Sequence, residues 1–303
     1  MAEPIAESVS VSAPRVHARR ARKRPIEFVA PLLLAALLIV FWDVAQTRGW
    51  ISDLLVPRPG EVAISTYELF ATGLIWEHLR TTLFETVTGF LLAAVFAISL
   101  ALAAGWSRTL RYMVQPYAVV LQVLPMISLA PIIISIFGFG TTSKVVVAAL
   151  ISFFPIFVNT LTGVLTPNPQ AEDLFLSLGA SRAKTFVHVL LPGAAPMVFA
   201  GLRIGLTLAL AGAVVAEFVS AQVGLGLLVS RFSYQLNLDD AFAVIVVLTA
   251  MGLLLYASVG LLERFIVFWH RPSGLDARSK RRQRRLAHRL AHAPSPVIAS
   301  SRN

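Results

Sequence analysis

Residues Thr86–Ser107 read T-V-T-G-F-L-L-A-A-V-F-A-I-S-L-A-L-A-A-G-W-S and contain no charged side chain. A helix needs roughly 20 apolar residues to cross the hydrocarbon layer of a bilayer, and this run is long enough. Strands of a membrane barrel would alternate apolar and polar residues, and no such alternation occurs. Similar runs, some holding one or two charged residues, cover Phe28–Gln46, Tyr112–Ser143, Val145–Ala171, Pro196–Ser220 and Ala241–Leu262. The sequence therefore predicts an all-α membrane protein with six transmembrane helices.

The composition also indicates a membrane protein. Of the 303 residues 56% are hydrophobic and only 14% are charged, and the mean hydropathy is +0.74. A soluble domain carries roughly 25% charged residues. A signal peptide is rejected, because no small-residue cleavage pattern follows the apolar run Pro31–Phe41. The chain has no Cys, which excludes disulfides and thiolate metal sites.

The net charge of +10 is concentrated at the two ends of the chain. We expect residues 1–25 and 271–303 to be disordered basic tails that flank a membrane domain at 26–270 and face anionic lipid headgroups. With both termini in the cytoplasm, most Lys and Arg residues fall on the inner side, as the positive-inside rule requires. Nucleic-acid binding is not expected, since no aromatic residues interleave with the basic tails.

The connection at 167–191 is too polar to cross a membrane and too strongly patterned to be a slack loop. Leu174, Phe175 and Leu178 are spaced to share one helix face, and Gly179 is suited to end that helix in a left-handed conformation. Ser181 can cap a second helix that runs to Leu190, where Pro192 would stop it and begin the fifth span. Such a pair of short helices either transmits force from a partner protein or lies on the lipid surface, and the physical pattern alone leaves both readings open.

The same connection resembles the signature loop of permeases in binding-protein-dependent ATP-binding-cassette (ABC) importers. That signature is Glu-Ala-Ala, three residues, Gly, nine residues, Ile, one residue and Leu-Pro. Here its frame is Asp173-Leu174-Phe175, Gly179, Val189 and Leu191-Pro192, so the spacing matches and the opening triplet departs. Resemblance to the nitrate/sulfonate/taurine branch extends over 28–270 through Val56-Pro57-Arg58-Pro59, Gly138-Phe139-Gly140 with Lys144, Phe154-Pro155-Ile156 with Asn159-Thr160, Ser177-Leu178-Gly179-Ala180-Ser181, Gly201-Leu202-Arg203-Ile204, Ala216-Glu217 and Gly224-Leu225-Gly226.

The resemblance implies a type I importer permease, multi-pass in the bacterial inner membrane, without a cofactor. It implies two ABC ATPase subunits, an external substrate-binding protein and a second permease copy, most simply an identical one. The implied solute is nitrate, a sulfonate, taurine or a similar small anion, with a pyrimidine-type vitamin precursor as the alternative. The residues expected to couple to the ATPase are Asp173, Leu174, Phe175, Gly179, Ala180, Ser181, Arg182, Leu191 and Pro192.

Five polar residues within the predicted spans are candidates for the translocation pathway: Gln122, Ser128, Asn159, Arg203 and Glu217. Polar groups at membrane depth face a cavity, a partner helix or a substrate. Gln122 and Ser128 are favoured as pathway residues beside Pro125 and Pro131. Asn159 is expected to bond across helices at least as readily as to contact substrate. For Arg203 a structural role ranks ahead of substrate contact, and Glu217 is expected to pair with Arg231 or cap the outer gate.

Other functional classes fit less well. A secondary transporter needs buried ionisable residues to couple to an ion gradient, and only Arg203 and Glu217 qualify. An enzyme would need clustered catalytic side chains, and the six histidines are scattered without metal-ligand spacing. The sequence lacks the G-x-x-x-x-G-K-[ST] loop, and Gly138–Lys144 only superficially resembles it. We therefore expect ATP hydrolysis to be carried out by another polypeptide.

Overall fold

The protein is described by a computed structural model over residues 26–50, 56–123 and 125–270. The two predicted tails, 1–25 and 271–303, lie outside the described residues. All regular elements in the described part are helices, which confirms the predicted all-α class. They are α1 (Ile26–Thr47), α2 (Pro59–Ala71), α3 (Leu74–Trp106), α4 (Arg108–Val123), α5 (Ala130–Phe137), α6 (Thr141–Leu165), α7 (Pro169–Ser177), α8 (Arg182–Thr185), α9 (Leu191–Ser220), α10 (Leu225–Tyr234) and α11 (Leu238–Ile266).

Within the described residues, five helical stretches are long and apolar enough to cross a membrane. They match five of the six predicted spans in order, although several begin or end at different residues. The stretches are Val29–Thr47, Leu74–Trp106, Thr141–Leu165, Arg182–Ser220 and Leu238–Ile266.

The predicted third span, at 112–143, is not one continuous helix. Helix α4 ends at Val123, and a short 3-10 helix, Met126–Leu129, precedes α5. Pro125 lies between α4 and the 3-10 helix, and its ψ of 80° is outside the helical range. Proline also has no N–H with which to continue the helical hydrogen bonds. That this broken segment crosses the membrane stays a prediction.

Residues up to Pro59 form one compact unit and residues from Gly60 onward form another. In the first unit α1 is an apolar helix of 22 residues with Pro31 near its beginning. In the last turn of α1, the Gln46 side-chain amide donates a hydrogen bond to the Val56 carbonyl.

The core of the second unit lies between α3, α6 and α9, and small residues line the contacts. A Cβ at Gly163 would come within 3.0 Å of the Ala194 carbonyl oxygen, and one at Gly201 within 2.8 Å of the Asn159 Cβ. Close approach of backbones at small residues is typical of packing between membrane helices, where dispersion replaces the hydrophobic effect.

A second apolar cluster joins α10 and α11 to the end of α2 and the beginning of α3. Leu69, Ile75, Leu225, Leu228 and Val244 are all buried there. This cluster holds α10, which lies between the fifth and sixth predicted spans, in a fixed position beside α3 and α9.

Candidate functional site

The predicted coupling segment, 167–191, contains the two helices and the turn that its sequence predicts. The Asn168 side chain caps α7 by accepting a hydrogen bond from the Gln170 N–H at 3.1 Å. Gly179 has a φ of +72°, and its N–H and that of Ala180 donate to the carbonyls of Leu176 and Phe175, each at 3.0 Å. These bonds form a Schellman motif, whose left-handed position favours glycine. Ser181 then caps α8 through the Lys184 N–H, as predicted.

Helix α7 is held out from the rest of the described chain, since none of its residues is buried. Leu174, Leu176 and Leu178 expose more than half of their surface. Asp173 is exposed as well, and Phe175 is half-buried. The second piece is anchored instead, because Thr185 and Val189 are buried. An exposed apolar face on a rigidly capped helix is a surface that a partner protein or a lipid layer can cover.

Pro192 does not stop the second helix, contrary to the prediction. Residues Arg182–Ser220 form one helical stretch of 39 residues, in which a π-helical turn, Phe186–Leu190, links α8 to α9. The Leu191 N–H donates to the Phe186 carbonyl, five residues back. Pro192 therefore falls in the first turn of α9, where a missing N–H is tolerated. The second helix of segment 167–191 and the span α9 therefore form one continuous helical stretch.

A buried polar cluster surrounds Glu217 near the end of α9. The Glu217 carboxylate accepts hydrogen bonds from the Thr82 hydroxyl at 2.6 Å and from the Gly226 N–H at 2.5 Å. The Thr82 oxygen in turn accepts from the Leu225 N–H at 2.8 Å. Because a buried carboxylate is costly without such donors, these bonds fix the beginning of α10 against α3 and α9. The predicted partner Arg231 is not bonded to Glu217 within the described residues.

Gly224 allows this arrangement through its backbone. Its φ is +146°, and a Cβ there would collide with the Glu217 carboxyl group. The Gly224 N–H also donates to Nδ1 of His78 at 3.0 Å. A residue with a side chain would have to adopt a strained φ and displace the carboxylate, so the cluster requires glycine at this position.

Two further charged residues complete the cluster. Glu85 lies against Glu217, and Lys144 acts electrostatically on both carboxyl groups. All three are nearly inaccessible, at 1%, 0% and 4% exposure for Glu85, Glu217 and Lys144. The Lys144 ammonium donates to the carbonyls of Phe139 at 3.1 Å and Gly140 at 3.2 Å. Lys144 is thus a buried residue of α6 rather than a charge on an exposed outer connection.

Arg203 has partners on a neighbouring helix. Its guanidinium forms an ion pair with Glu263 of α11 and lies 5.5 Å from the centre of the Tyr256 ring. Both side chains of the ion pair are about one quarter exposed, at 28% and 27%. The pair joins α9 to α11, which supports the structural role that ranks first in the sequence reading.

The other three candidates for the translocation pathway, Gln122, Ser128 and Asn159, do not form a common site in the described residues. Asn159 donates to the Pro155 carbonyl at 2.8 Å within its own helix, so the expected bond across helices is absent from the described contacts. An Asn side chain on a helix can bond a backbone carbonyl one turn back in its own helix, and Asn159 does so here. Ser128 is exposed in the 3-10 helix before α5. Gln122 belongs to α4, and its side chain lies outside the described residues.

Sequence reasoning missed Thr82, Glu85 and Glu263 and misplaced Lys144. A signal for the first two was available, since His78, Thr82, Glu85 and Gly89 follow one another at helical spacing and mark a polar stripe. Starting the second span at Thr86 hid this stripe, because α3 begins twelve positions earlier, at Leu74. Glu263 carries no comparable signal, because its pairing depends on how α9 and α11 pack.

Comparison with known proteins finds similarity to permease subunits of transport systems. The family model for the binding-protein-dependent transport system inner membrane component matches residues 93–268. The formylaminopyrimidine transport permease protein ThiX of Halalkalibacterium halodurans is 35% identical over 82% of this chain and 99% of its own. The taurine transport system permease protein TauC of Escherichia coli is 33% identical over 84% of this chain and 96% of its own.

A solved structure shares the fold at low sequence identity. A chain of an amino acid ABC transporter crystallised with histidines superposes with a TM-score of 0.57 and 17% identity, covering 66% of this chain and 97% of that one. Its similarity concerns the helical architecture alone.

Proposed function

This chain belongs to the family of binding-protein-dependent transport system inner membrane components, and from this membership we propose that its segment 167–191 receives the force of a separate ATPase. It is a multi-pass permease subunit of an ABC importer in the inner membrane, not an enzyme. Its family implies an ATPase and a substrate-binding protein as partners.

The observation that carries the proposal is the unbroken helical stretch from Arg182 to Ser220. A push on α7 passes through the capped turn at Gly179 into α8, and from there without interruption into a membrane span. Stiff elements with a defined turn transmit displacement, whereas a slack loop absorbs it. The exposed leucines of α7 supply the apolar surface for a groove on the ATPase.

Gly179→Pro tests this mechanism. Proline fixes φ near −65°, whereas Gly179 has +72°, and proline also removes the N–H that bonds to Leu176. We expect uptake into proteoliposomes containing the whole importer to fall to background, while ATP hydrolysis no longer responds to the loaded binding protein. Gly193→Ala is the matched control, because a Cβ at Gly193 meets open space. Retained uptake in Gly179→Pro would contradict the proposal.

The competing reading, in which α7 lies on lipid, predicts a different neighbour. A photo-crosslinker placed at Ser177, an exposed residue at the end of α7, should capture the ATPase in the assembled importer. Capture of lipid alone would rule out force transfer through this helix.

We expect two copies of this chain in the importer. One chain carries one coupling segment, and two ATPase subunits require two of them, which an identical pair with two-fold symmetry provides. Native mass spectrometry of the assembled importer should show two permease chains and two ATPase subunits, and a single permease chain would overturn this stoichiometry.

We propose that the solute is a small molecule of one of two classes, either a small anion such as nitrate, a sulfonate or taurine, or a pyrimidine-type vitamin precursor. A sulfonate or taurine-like anion follows from the resemblance and from the 33% identity to TauC. A formylaminopyrimidine-type vitamin precursor follows from the 35% identity to ThiX. This class is favoured by the way in which the two cations of the described spans are already bonded. Among the described spans, Arg203 is paired with Glu263, and the buried Lys144 ammonium donates to the carbonyls of Phe139 and Gly140, so neither is a free cation for an anionic solute.

Calorimetry on the cognate substrate-binding protein distinguishes the two solute classes. Heat of binding with taurine but not with formylaminopyrimidine would support the anion, and the opposite pattern would support the pyrimidine. Uptake that continues without the ATPase would instead indicate an ion-coupled secondary transporter.

A further inference from the structure

A cavity of about 490 Å³ lies at the corner where α3 ends and α4 begins, facing the coupling segment. We call it the arginine pocket. Its walls come from both sides of that junction, so a molecule bound there would contact the spans and the coupling segment together. The lining residues used below are Trp106, Arg108, Arg111, Glu172, Arg182 and Phe186.

The arginine pocket is strongly positive. Three guanidinium groups line it, from Arg108, Arg111 and Arg182, and Glu172 is the one carboxylate among its lining residues. Like charges that converge on a cavity repel one another unless an anion or water lies between them. The excess of cations over carboxylates therefore indicates a site for an anion.

Two of the arginines are held in place by the end of α3. Arg111 donates from Nε to the Ala104 carbonyl at 3.4 Å and from Nη2 to the Gly105 carbonyl at 3.2 Å. Arg182 donates from Nη2 to the Trp106 carbonyl at 2.9 Å and lies 5.7 Å from the centre of the Trp106 ring. The last carbonyls of a helix lack partners within it, so these bonds cap α3. Each guanidinium has five N–H groups, and most of them remain for a ligand.

Capping does not account for the third arginine. Arg108 is exposed at the first position of α4, and among the described residues its guanidinium makes no hydrogen bond or ion pair. Trp106 packs edge-on against Phe186 at 5.2 Å between ring centres, which gives the pocket a rigid aromatic side. Arg111 and Arg182, which are held by their bonds to the end of α3, are preorganised donors, and such donors bind an anion at a lower entropic cost than flexible side chains do.

We propose that the arginine pocket binds a phosphate-bearing anion, by guanidinium groups whose planar donors match phosphate oxygens. The phosphate belongs either to the headgroup of an anionic membrane lipid or to a free phosphate ion. Lipid is within reach, because Trp106 ends an apolar span and tryptophan is enriched at the depth of the headgroups. The bound anion links the α3–α4 corner to Arg182 in the coupling segment. This inference does not depend on which protein contacts α7.

The test uses the full-length chain, purified in detergent. Native mass spectrometry measures retention of phosphatidylglycerol against phosphatidylcholine, and calorimetry measures binding of inorganic phosphate. Arg108→Gln should weaken binding about ten-fold, since it removes a charge-assisted contact without uncapping α3. Glu172→Gln should tighten it by removing the opposing carboxylate. Arg264→Gln, which removes an exposed cation at the end of α11 outside the pocket, is the matched control and should leave binding unchanged.

The outcomes separate the two sources of phosphate. Preferential retention of phosphatidylglycerol without phosphate binding supports the lipid headgroup, and displacement of that lipid by inorganic phosphate supports a general phosphate site. Equal retention of both lipids with no heat from phosphate overturns the proposal. An equal loss of phosphate or lipid binding in Arg108→Gln and Arg264→Gln also overturns the proposal, because it would show that only the overall charge matters. Circular dichroism confirms that each variant remains folded.

Discussion

At the scale of single residues, the charges and the backbone geometry at membrane depth determine which residue types are tolerated in this permease. Glu217 is fully buried yet satisfied by a hydroxyl group and a backbone N–H. Arg203 is only partly buried and is balanced by Glu263. Burial of a charge is tolerated where donors or an opposite charge replace water, and both residues meet that condition in different ways.

Gly224→Ala should destabilise the protein by about 2 kcal/mol or more, because it combines a strained φ with a collision against the Glu217 carboxyl group. Thermal unfolding in detergent measures the loss. Gly60→Ala is the control, since a Cβ there meets no atom within 4 Å. Equal melting temperatures for the two variants would show that the cluster does not require glycine at 224.

The pair Arg203–Glu263 should show a coupling free energy of about 1–2 kcal/mol in a double-mutant cycle with Arg203→Gln and Glu263→Gln. Fully buried pairs cost 3–5 kcal/mol when one partner is lost, and the partial exposure here lowers that figure. The double variant should therefore be more stable than the sum of the single losses predicts. Additive losses would mean that the two side chains act independently.

At the scale of helices, α6 and α9 share the most extensive contact of the core, and glycine permits close approach from both sides. Gly163 on α6 faces the Ala194 backbone, and Gly201 on α9 faces Asn159. A backbone neighbour cannot move aside as a flexible side chain can. Gly201 also lies against backbone atoms of Pro155 and Ile156, so neither contact leaves room for an added methyl group.

Gly163→Ala should lower stability by about 1–3 kcal/mol by forcing α6 away from α9, the usual cost of overpacking a well-packed contact. The measurement is again thermal unfolding in detergent. Gly193→Ala adds the same methyl group at an open position of α9 and should change stability far less. A larger effect at Gly193 would contradict close packing at Gly163.

At the scale of the whole molecule, the coupling segment leads into the first end of the α9 stretch and α10 follows its last end, so the two lie at opposite ends of this stretch. The positive-inside rule then assigns the coupling segment to the cytoplasm and α10 to the outside. This orientation is a prediction from the distribution of Lys and Arg.

The absence of cysteine makes the orientation directly testable, since every introduced thiol is unique. Ala183→Cys in α8 and Tyr234→Cys at the end of α10 are both at exposed positions. A membrane-impermeant maleimide added to intact spheroplasts should label Tyr234→Cys and leave Ala183→Cys unlabelled until the cells are lysed. The reverse pattern would invert the predicted topology.

The helical class, the capped turn at Gly179 and the capping by Ser181 could be predicted from sequence because each depends on local chemistry. The cluster of Thr82, Glu85, Lys144 and Glu217 could not, because it unites residues far apart in the chain. The error at Pro192 has another cause. A proline normally ends a helix, but the π-helical turn before it changes the bonding so that the helix continues.

That turn, Phe186–Leu190, also sets the angular phase between the coupling segment and the span. A π-turn holds one more residue than an α-turn, and each residue of an α-helix advances by about 100° around the axis. Loss of one residue there would swing Arg182 and the face bearing the leucines of α7 around the axis of α9 while leaving every helix intact. If segment 167–191 receives force as proposed, a single extra residue in this π-helical turn sets the direction in which that force enters α9.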